Sequence, residues 1–374
     1  MTDLHKPLGP KESPAGASRW PIAFVGLLGI IVLALLGYWA WQSSRSDSVV
    51  VSLNEPQPAA KNPKPAEPAA NSTEPLETVP APEPPTSTGG NTKTPEPPVF
   101  KPQQTVLKKR DAWQPVPDLI EPSEYGPLPR VGTSGLRPLD AYSQSPGAIG
   151  GARIAIVVGG LGISQTGTKQ AIEQLPSSIT LAYSPAGNSL QRWMQVARKQ
   201  GHEVVLQIPM EPLGYPEIDP GRGTLVSTAA QGENLSRLRW SLGRMSNYPL
   251  VINYLGANFS NQEKVLRPIL EEIKARGLGW MDDGTVRASK SLDIAEAIRL
   301  PHVNANFVLD ARQEPARIDA QLKALELLAR RRGYAIATAT AFPLSVKQIA
   351  AWVKEAEKNG LQIVPVSNLL RDYK

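Results

Sequence analysis

The chain of 374 residues contains no cysteine and only three histidines. Without a thiol, disulfide scaffolds, thiolate zinc or iron–sulfur sites and cysteine nucleophiles are excluded. The histidines are His5, His202 and His302, and they are scattered along the sequence. A metal site with several histidine ligands would need most of these three residues to come together. The composition therefore argues against most classes of metalloenzyme.

Charged residues are absent from one long segment, residues 21–42 (PIAFVGLLGIIVLALLGYWAWQ). As a helix this segment is long enough to cross a hydrocarbon layer of roughly 30 Å. The aromatic side chains near its two ends favour the membrane interface. A cleaved signal peptide is the alternative, but the WAWQSS junction offers no good A-x-A cleavage site. We therefore predict an uncleaved transmembrane anchor helix over residues 21–42.

Basic residues before the anchor set its predicted orientation. Lys6, Lys11 and Arg19 precede it, so the positive-inside rule places the tail, residues 1–20, in the cytoplasm. The remaining chain then lies outside, which in a bacterium means a single-pass inner-membrane protein with its C-terminal domain in the periplasm. The inner membrane is one predicted partner, and nucleic acid is not expected as a partner there.

More than half of the 37 prolines lie between residues 43 and 150. This segment repeats Pro, Ala, Glu, Thr and Lys and has few large apolar side chains, so it cannot bury enough surface to offset its ordering entropy. We predict a Pro-rich disordered linker over residues 43–150 that separates the following domain from the membrane. Residues 118–144 regain aromatic and aliphatic side chains, so part of this stretch can pack on that domain.

From residue 153 onward, short β-branched runs alternate with amphipathic stretches. Strand after helix after strand at this spacing predicts right-handed βαβ units and a parallel sheet. Seven or eight such units over residues 151–374 indicate a closed or nearly closed β/α barrel, in which working residues follow the carboxyl ends of the strands. The predicted strands are 153–158, 179–183, 203–208, 250–254, 278–282, 303–309, 334–339 and 361–366. The predicted helices are 165–174, 189–200, 233–245, 262–276, 291–299, 315–332 and 345–359.

A glycine-rich turn, Gly159-Gly160-Leu161-Gly162, follows the first predicted strand. It is similar to a phosphate-cradling turn. However, a dinucleotide fingerprint requires a further glycine where Gln165 stands and an acidic residue at the end of the second strand. Glycines that allow a tight turn explain this segment better, so we predict no cofactor.

Polar side chains follow four further predicted strands. They are Glu211 after the third strand, Asn253 and Tyr254 at the end of the fourth, Asp282 and Asp283 at the end of the fifth, and Asp310 after the sixth. Two carboxylates can act as acid and base when burial and mutual repulsion separate their pKa values. The candidate catalytic residues are therefore Asp282, Asp283 and Glu211. Alternatively, Asp282 caps the next helix or hydrogen-bonds the turn at Gly284.

Aromatic side chains near the same strand ends offer a binding surface. Tyr215 and Tyr254 are suited to stack on sugar rings, as flat amphipathic side chains do. Trp280 precedes an acidic turn inside a strand, and burial explains it better. The predicted substrate-binding residues are Gln207, Tyr215, Asn253, Tyr254 and Asp310.

Several sequence blocks resemble the divergent polysaccharide deacetylase family, relatives of the NodB-type carbohydrate esterases. The blocks are IAIVVGGLGIS, LPSSITLAYSP, GHEVVLQIPMEPLGYPEIDPGRGTL, INYLGANF, GLGWMDDGT and IVPVSNLL. The resemblance covers about residues 151–370. It implies a distorted β/α barrel of NodB type, a periplasmic or cell-surface location, and a polysaccharide or peptidoglycan-like substrate.

The sequence departs from this family where the metal ligands are expected. Members with a plausible metal site have an Asp-Asp pair in place of Gly159 and Gly160, histidines in place of Gln207 and Tyr254, and a His-containing segment near residues 340–342. A catalytic zinc needs a carboxylate and imidazoles to hold it and to activate water. The departures therefore imply a domain without the family metal site. A weaker site for calcium or magnesium at Asp282, Asp283 and Asp310 stays open, because hard cations accept carboxylates and carbonyls alone. Neither remaining histidine of the domain replaces these ligands, because each precedes a predicted strand.

Two hypotheses about function remain open. In the first, the domain is a pseudoenzyme that binds an envelope polysaccharide or peptidoglycan, or an unidentified protein partner, without chemistry. In the second, it is an active metal-independent carbohydrate hydrolase or deacetylase that uses Asp282, Asp283 and Glu211. We favour the binding hypothesis, because loss of the metal ligands removes the known mechanism and nothing in the sequence clearly replaces it.

Overall fold

Helices and strands alternate along the C-terminal part of the chain much as the sequence pattern predicts. The computed structural model describes residues 114–145 and 150–371. The strands are β1 (Ile120–Ser123), β2 (Gly126–Pro129), β3 (Arg153–Leu161), β4 (Thr180–Tyr183), β5 (Val204–Met210), β6 (Leu250–Leu255), β7 (Gly279–Asp282), β8 (His302–Asn304), β9 (Phe307–Val308), β10 (Tyr334–Thr340) and β11 (Gln362–Ile363). The α-helices are α1 (Pro138–Tyr142), α2 (Gln165–Gln174), α3 (Leu190–Lys199), α4 (Gln231–Leu242), α5 (Glu263–Ala275), α6 (Ser291–Ala297), α7 (Pro315–Arg332) and α8 (Pro343–Lys358).

Parallel pairing joins the strands from β3 to β11 into one sheet. Its path runs in the order β8-β7-β6-β5-β4-β3-β10-β9, and β11 pairs with β3 beside this path. β3 and β10 pair over their longest stretch, from Arg153 opposite Tyr334 to Gly159 opposite Thr340. Because parallel neighbours need a crossover connection, helices link most successive strands. All the carboxyl ends therefore lie along one edge of the sheet.

The two ends of the sheet path meet at a kinked segment of the chain. The single strand predicted over residues 303–309 is divided here into β8, which pairs with β7, and β9, which pairs with β10. Between them, Ala305 N donates to Asp282 O at 3.0 Å, whereas Asn306 N donates to Ile336 O at 2.8 Å. Within the described residues no ladder joins β8 to β9. The sheet is thus curled into an incompletely closed barrel.

Two apolar layers cover the two faces of this sheet. Alternation along β3 places Ile154 and Ile156 in a large cluster that includes helix residues, and Ala155 and Val157 in a separate inner cluster. The inner layer also contains Ala182 of β4. Because several inward side chains are small, they leave space on the concave side of the sheet.

Residues 114–145 fold on the domain although they lie within the predicted linker over residues 43–150, as the aliphatic and aromatic side chains of residues 118–144 suggested. β1 and β2 form an antiparallel hairpin, and α1 follows them. Leu139 of α1 is fully buried in the inner cluster, where it packs with residues of the sheet. The aliphatic and aromatic side chains that the sequence regains here bury enough apolar surface to hold the segment on the domain.

Polar contacts also hold this N-terminal segment in place. Arg276, which follows α5, donates through Nη1 to Pro129 O at 2.9 Å. Gln144 N donates to the buried carboxylate of Glu203 at 3.2 Å, and Asn368 Nδ2 donates to Gln144 O at 2.8 Å. Glu203 directly precedes β5, so residues 138–144 cover the amino-terminal end of the sheet.

The predicted tail, anchor and most of the predicted linker, residues 1–20, 21–42 and 43–113, lie outside the described residues. None of the helices in residues 114–145 and 150–371 is long and apolar enough to cross a membrane.

Replacing Leu139 with alanine tests whether the N-terminal segment belongs to the folded domain. The substitution empties a fully buried site, so we expect a loss of about 2–5 kcal/mol in the free energy of unfolding. Chemical denaturation of the two proteins measures the difference. Leu327→Ala is the matched control, because Leu327 on α7 is 62% exposed and should change stability little. Equal effects of the two substitutions would mean that residues 114–145 do not pack as described.

Candidate functional site

The carboxyl ends of the parallel strands surround a cavity of about 370 Å³. Five predicted site residues line it, namely Gln207 from β5, Asn253 and Tyr254 from β6, Asp283 after β7 and Asp310 after β9. Three others, Glu211, Tyr215 and Asp282, are not among the lining residues. The strand ends therefore locate the cavity, but not every polar side chain that follows a strand points into it.

The cavity has an apolar floor and an aromatic rim. Val157, Ala182 and Ile252 belong both to its lining and to the inner apolar layer of the sheet. At the rim, the side chains of Tyr254 and Phe342 are 44% and 48% exposed. Flat rings above a concave, partly apolar surface are typical of small-molecule and carbohydrate sites.

Asp283 is a buried carboxylate in the cavity wall. Its Oδ1 accepts hydrogen bonds from Thr285 N at 2.9 Å and from Thr285 Oγ1 at 2.7 Å, and its own N–H donates to Asn253 Oδ1 at 2.8 Å. Burial raises the pKa of Asp283 from 3.8 to about 6; hydrogen bonds from Thr285 and Asn253 oppose this rise, and the nearby charge of Asp282 adds to it. This carboxyl group can therefore gain or lose a proton near neutral pH.

Asp282 is turned away from the cavity and holds the turn that follows β7. Its Oδ1 accepts from Gly284 N at 2.9 Å. Its Oδ2 accepts from Ser289 Oγ at 2.6 Å and from the hydroxyl of Ser291, the first residue of α6. The alternative interpretation, in which Asp282 bonds the turn at Gly284, is confirmed. Asp282 is not among the residues that line the cavity, because these hydrogen bonds hold its carboxylate in the turn.

The carboxylate of Glu211 is hydrogen-bonded to the loops that contain Ser227 and Asn258 and does not line the cavity. Its carboxylate accepts from Ser227 N and from Asn258 Nδ2. Burial would raise its pKa, but the hydrogen bonds from Ser227 and Asn258 outweigh that effect and hold the pKa of Glu211 below its ordinary value. The expected position of Glu211 at the cleft is wrong, because the loop contacts fix this side chain as an ionised acceptor.

The loop after β5 presents Pro220, rather than Tyr215, to the cavity. The expected position of Tyr215 at the cavity is therefore wrong. Trp280 is fully buried within the large cluster between sheet and helices, so the prediction of burial is confirmed for this residue.

Asp310 lines the cavity and also fixes the start of α8. Its Oδ2 accepts from Thr340 N at 2.8 Å, from Ser345 Oγ at 2.6 Å and from Gln313 Nε2 at 3.2 Å. The carboxylate thus joins the chain after β9 to the chain after β10. A role for Asp310 in binding substrate stays a prediction.

Thr285 and Phe342 are among the lining residues that sequence reasoning did not select. Each lies within three residues of the end of a strand, β7 and β10 respectively. Distance from a strand end was therefore a usable signal for both.

Residues 156–370 match the family model described as divergent polysaccharide deacetylase. The chain belongs to this family. An uncharacterized protein of Haemophilus influenzae is 24% identical over 222 residues, which cover 59% of this chain and 78% of that protein. The uncharacterized protein YibQ of Escherichia coli is 22% identical over 220 residues, which cover 59% of this chain and 68% of YibQ.

A solved structure supports the fold independently. The crystal structure of an uncharacterized protein from Agrobacterium tumefaciens C58 shares 46% sequence identity and a TM-score of 0.64 with this chain. The match covers 65% of this chain and 99% of that one. The curled parallel sheet is thus the fold of the divergent polysaccharide deacetylase domain.

The positions where the family resemblance places metal ligands all border the cavity, but their side chains do not suit a metal ion. They are Gly159, Gly160, Gln207, Tyr254 and residues 340–342. In the described part of the chain, no group of three or more His, Cys, Asp or Glu side chains could hold a metal ion. His202 is buried against the carbonyls of Ile172 and Ile179, ahead of β5. A catalytic zinc therefore does not fit this donor set.

Gln207 occupies the space that a side chain on Gly159 would need. Gln207 Oε1 accepts from Gly160 N at 2.8 Å. A Cβ atom on Gly159 would lie 2.9 Å from Gln207 Nε2, which is closer than real Cβ contacts. The glycine and the glutamine are therefore a coupled pair within this member of the family.

A double-mutant cycle tests the coupling between Gly159 and Gln207. Gly159→Ala should lower the free energy of unfolding by at most about 1 kcal/mol, because only the flexible end of the Gln207 side chain must move. In a Gln207→Ala background the same change should cost clearly less. Gly232→Ala on α4 is the control, because a Cβ there meets nothing within 4 Å. Equal costs of Gly159→Ala in both backgrounds would contradict the coupling.

Asp283→Asn should stabilise the domain at pH 7. A folded-state pKa of about 6 against the ordinary 3.8 means that ionised Asp283 costs the folded protein roughly 3 kcal/mol, an upper limit for the gain. This cost is absent below pH 3.8, grows between pH 3.8 and pH 6, and is complete above pH 6. The stabilisation by Asp283→Asn should therefore vanish at pH 3.5. The Oδ1 atom of the asparagine can still accept the hydrogen bonds that Thr285 donates to Asp283. Thermal unfolding of both proteins across this pH range measures the effect.

The control for this comparison is Asp319→Asn on the exposed side of α7. We expect no pH-dependent gain from it. A gain from Asp283→Asn that is the same at pH 3.5 and pH 7 would contradict the raised pKa.

Proposed function

We propose that this domain binds a glycan of the bacterial cell envelope, such as a peptidoglycan strand, and that it lacks the metal-dependent chemistry associated with its fold. The observation that carries the proposal is the cavity itself. It has an exposed aromatic rim and polar walls, and the family's metal-ligand positions carry glycine, glutamine and tyrosine.

The rim suits a sugar ring because Tyr254 and Phe342 expose flat apolar surface beside the opening. The C–H faces of a pyranose pack on such rings, while hydroxyl groups need donors and acceptors. Those are available from Gln207, Asn253 and Thr285. The volume of about 370 Å³ is of the size that accommodates one or two sugar units.

The location follows from the predicted anchor and linker. A helix over residues 21–42 would tether the domain to the inner membrane, and the linker that follows would let it reach glycan strands in the periplasm. Tethering raises the effective concentration of the binding site near the envelope, so a modest affinity is sufficient for function.

Replacing Tyr254 with alanine tests the proposed binding site. Loss of one stacking ring should reduce retention of the protein on purified peptidoglycan by about tenfold, which is roughly 1.4 kcal/mol. Tyr334→Ala is the matched control, because Tyr334 is 41% exposed at the opposite end of the sheet. Co-sedimentation with peptidoglycan measures retention. The proposal fails if wild-type protein is not retained, or if the two variants lose retention equally.

A second candidate function rests on Asp283, a cavity carboxylate with a pKa near 6. Such a group could act as a general acid or base in metal-independent hydrolysis. Of the three residues in the catalytic hypothesis, only Asp283 lines the cavity, and Asp310 is the second carboxylate there. Because Asp310 Oδ2 already accepts three hydrogen bonds, it is less suited to serve as nucleophile or base.

Acetate or sugar released from acetylated oligosaccharides and peptidoglycan distinguishes the two functions. We expect retention without release. Release by the wild-type protein that Asp283→Asn abolishes, and Asp319→Asn does not, would establish the enzymatic alternative instead.

A further inference from the structure

The electrostatics of the cavity point to the charge of its ligand. Two carboxylates line it, Asp283 and Asp310, which are 8% and 6% exposed, and no lysine, arginine or histidine is among its lining residues. The chain as a whole has a net charge of +6. The cavity is thus a negatively charged site in a positively charged protein.

Among the described residues, no cationic side chain influences the pKa of Asp283. The charge that acts on it comes from Asp282, which is also a carboxylate, and hydrogen bonds from Thr285 and Asn253 are the only influences that favour its ionised form. A buried carboxylate without a partner charge is costly, and a cation placed beside it removes that cost. The site is therefore complete only when a positive group enters it.

A further polar group in the cavity lacks a partner. Gln207 is 8% exposed, and its Oε1 accepts from Gly160 N. Among the described residues, its Nε2 has no hydrogen-bond acceptor, although it belongs to a side chain that lines the cavity. A ligand that carries an oxygen acceptor, as a sugar hydroxyl group does, would satisfy this amide.

A metal ion is not the cation that this arrangement favours. Calcium takes six to eight oxygen ligands, and magnesium requires near-octahedral geometry. The described residues contain no cluster of three acidic or imidazole side chains that could begin such a shell. An ammonium group needs only two or three acceptors, which Asp283 and its neighbours can supply.

We propose that the cavity selects amino sugars with a free, protonated amine over their N-acetylated counterparts, with Asp283 as the residue that determines this preference. This inference rests on the proposed glycan-binding function. The ammonium group would lie against the Asp283 carboxylate, the sugar ring against Tyr254, and a hydroxyl oxygen near Gln207 Nε2. An acetyl group would remove the charge and leave Asp283 uncompensated.

The test compares two oligosaccharides of equal length, one built from glucosamine and one from N-acetylglucosamine. Isothermal titration calorimetry at pH 7 and low salt measures both affinities for the full chain in detergent. We expect the glucosamine oligomer to bind at least tenfold more tightly. Added EDTA should leave this ratio unchanged, because no metal takes part.

Two variants assign the preference to Asp283. Asp283→Asn should bring the ratio of the two affinities close to one, whereas Asp319→Asn, an exposed carboxylate on α7, should leave it unchanged. The preference of the wild-type protein should also shrink as sodium chloride is raised, because it depends on a charge pair. This salt series needs no variant, so the inference is testable even if Asp283→Asn fails to fold.

The outcomes separate this inference from the proposed function. Binding of neither oligomer and of no peptidoglycan would overturn both. Equal binding of the two oligomers, or tighter binding of the N-acetylated one, would overturn the amine preference and leave glycan binding in place. A glucosamine preference that survives in Asp283→Asn would overturn the role of Asp283.

Discussion

Parallel pairing of the strands is the constraint on which the candidate site depends. Because the strands from β3 to β11 all run in one direction, their carboxyl ends lie at one edge, and curling of the sheet brings that edge around a central space. Small inward side chains such as Ala155 and Ala182 leave that space partly unfilled. At the opposite edge, Leu139 of the N-terminal segment packs into the same inner layer. One end of the curled sheet is therefore filled, and the other is open to a ligand.

The residues at the positions where the family resemblance predicts metal ligands fit one another closely. Gly159 leaves room for Gln207, and Gln207 in turn accepts a hydrogen bond from Gly160 N. The Gln207 side chain thus satisfies a backbone N–H group in the cavity wall. The mutual fit of Gly159 and Gln207 keeps this part of the wall polar.

Neighbouring carboxylates acquire different roles from their surroundings. Asp282 accepts hydrogen bonds from Gly284, Ser289 and Ser291 and stabilises a turn, whereas Asp283 faces the cavity with a raised pKa. Glu211 is held ionised by donors from two loops. A carboxylate that is fully hydrogen-bonded in a loop contributes to stability, while one that is buried without a cation remains available for a ligand.

The sequence by itself determined the alternation of strands and helices, the family, and the edge of the sheet where the site lies. These features follow from local periodicity and from the rule that places sites at the carboxyl ends of parallel strands. It also identified five of the cavity residues, because each stands within three residues of a strand end.

Only the tertiary structure decided which of the polar side chains enter the cavity. Asp282 and Glu211 have the same residue types and strand-end positions as Asp283 and Asp310, so no local pattern separates them. Hydrogen bonds from Ser289, Ser291 and Asn258 turn the first two away, and these donors lie 7, 9 and 47 residues away in the sequence. The aliphatic and aromatic side chains of residues 118–144 suggested that part of this stretch packs on the domain. Which contacts hold it, such as Leu139 in the inner layer and Gln144 N on Glu203, only the tertiary structure decided, because they join residues that are distant in sequence.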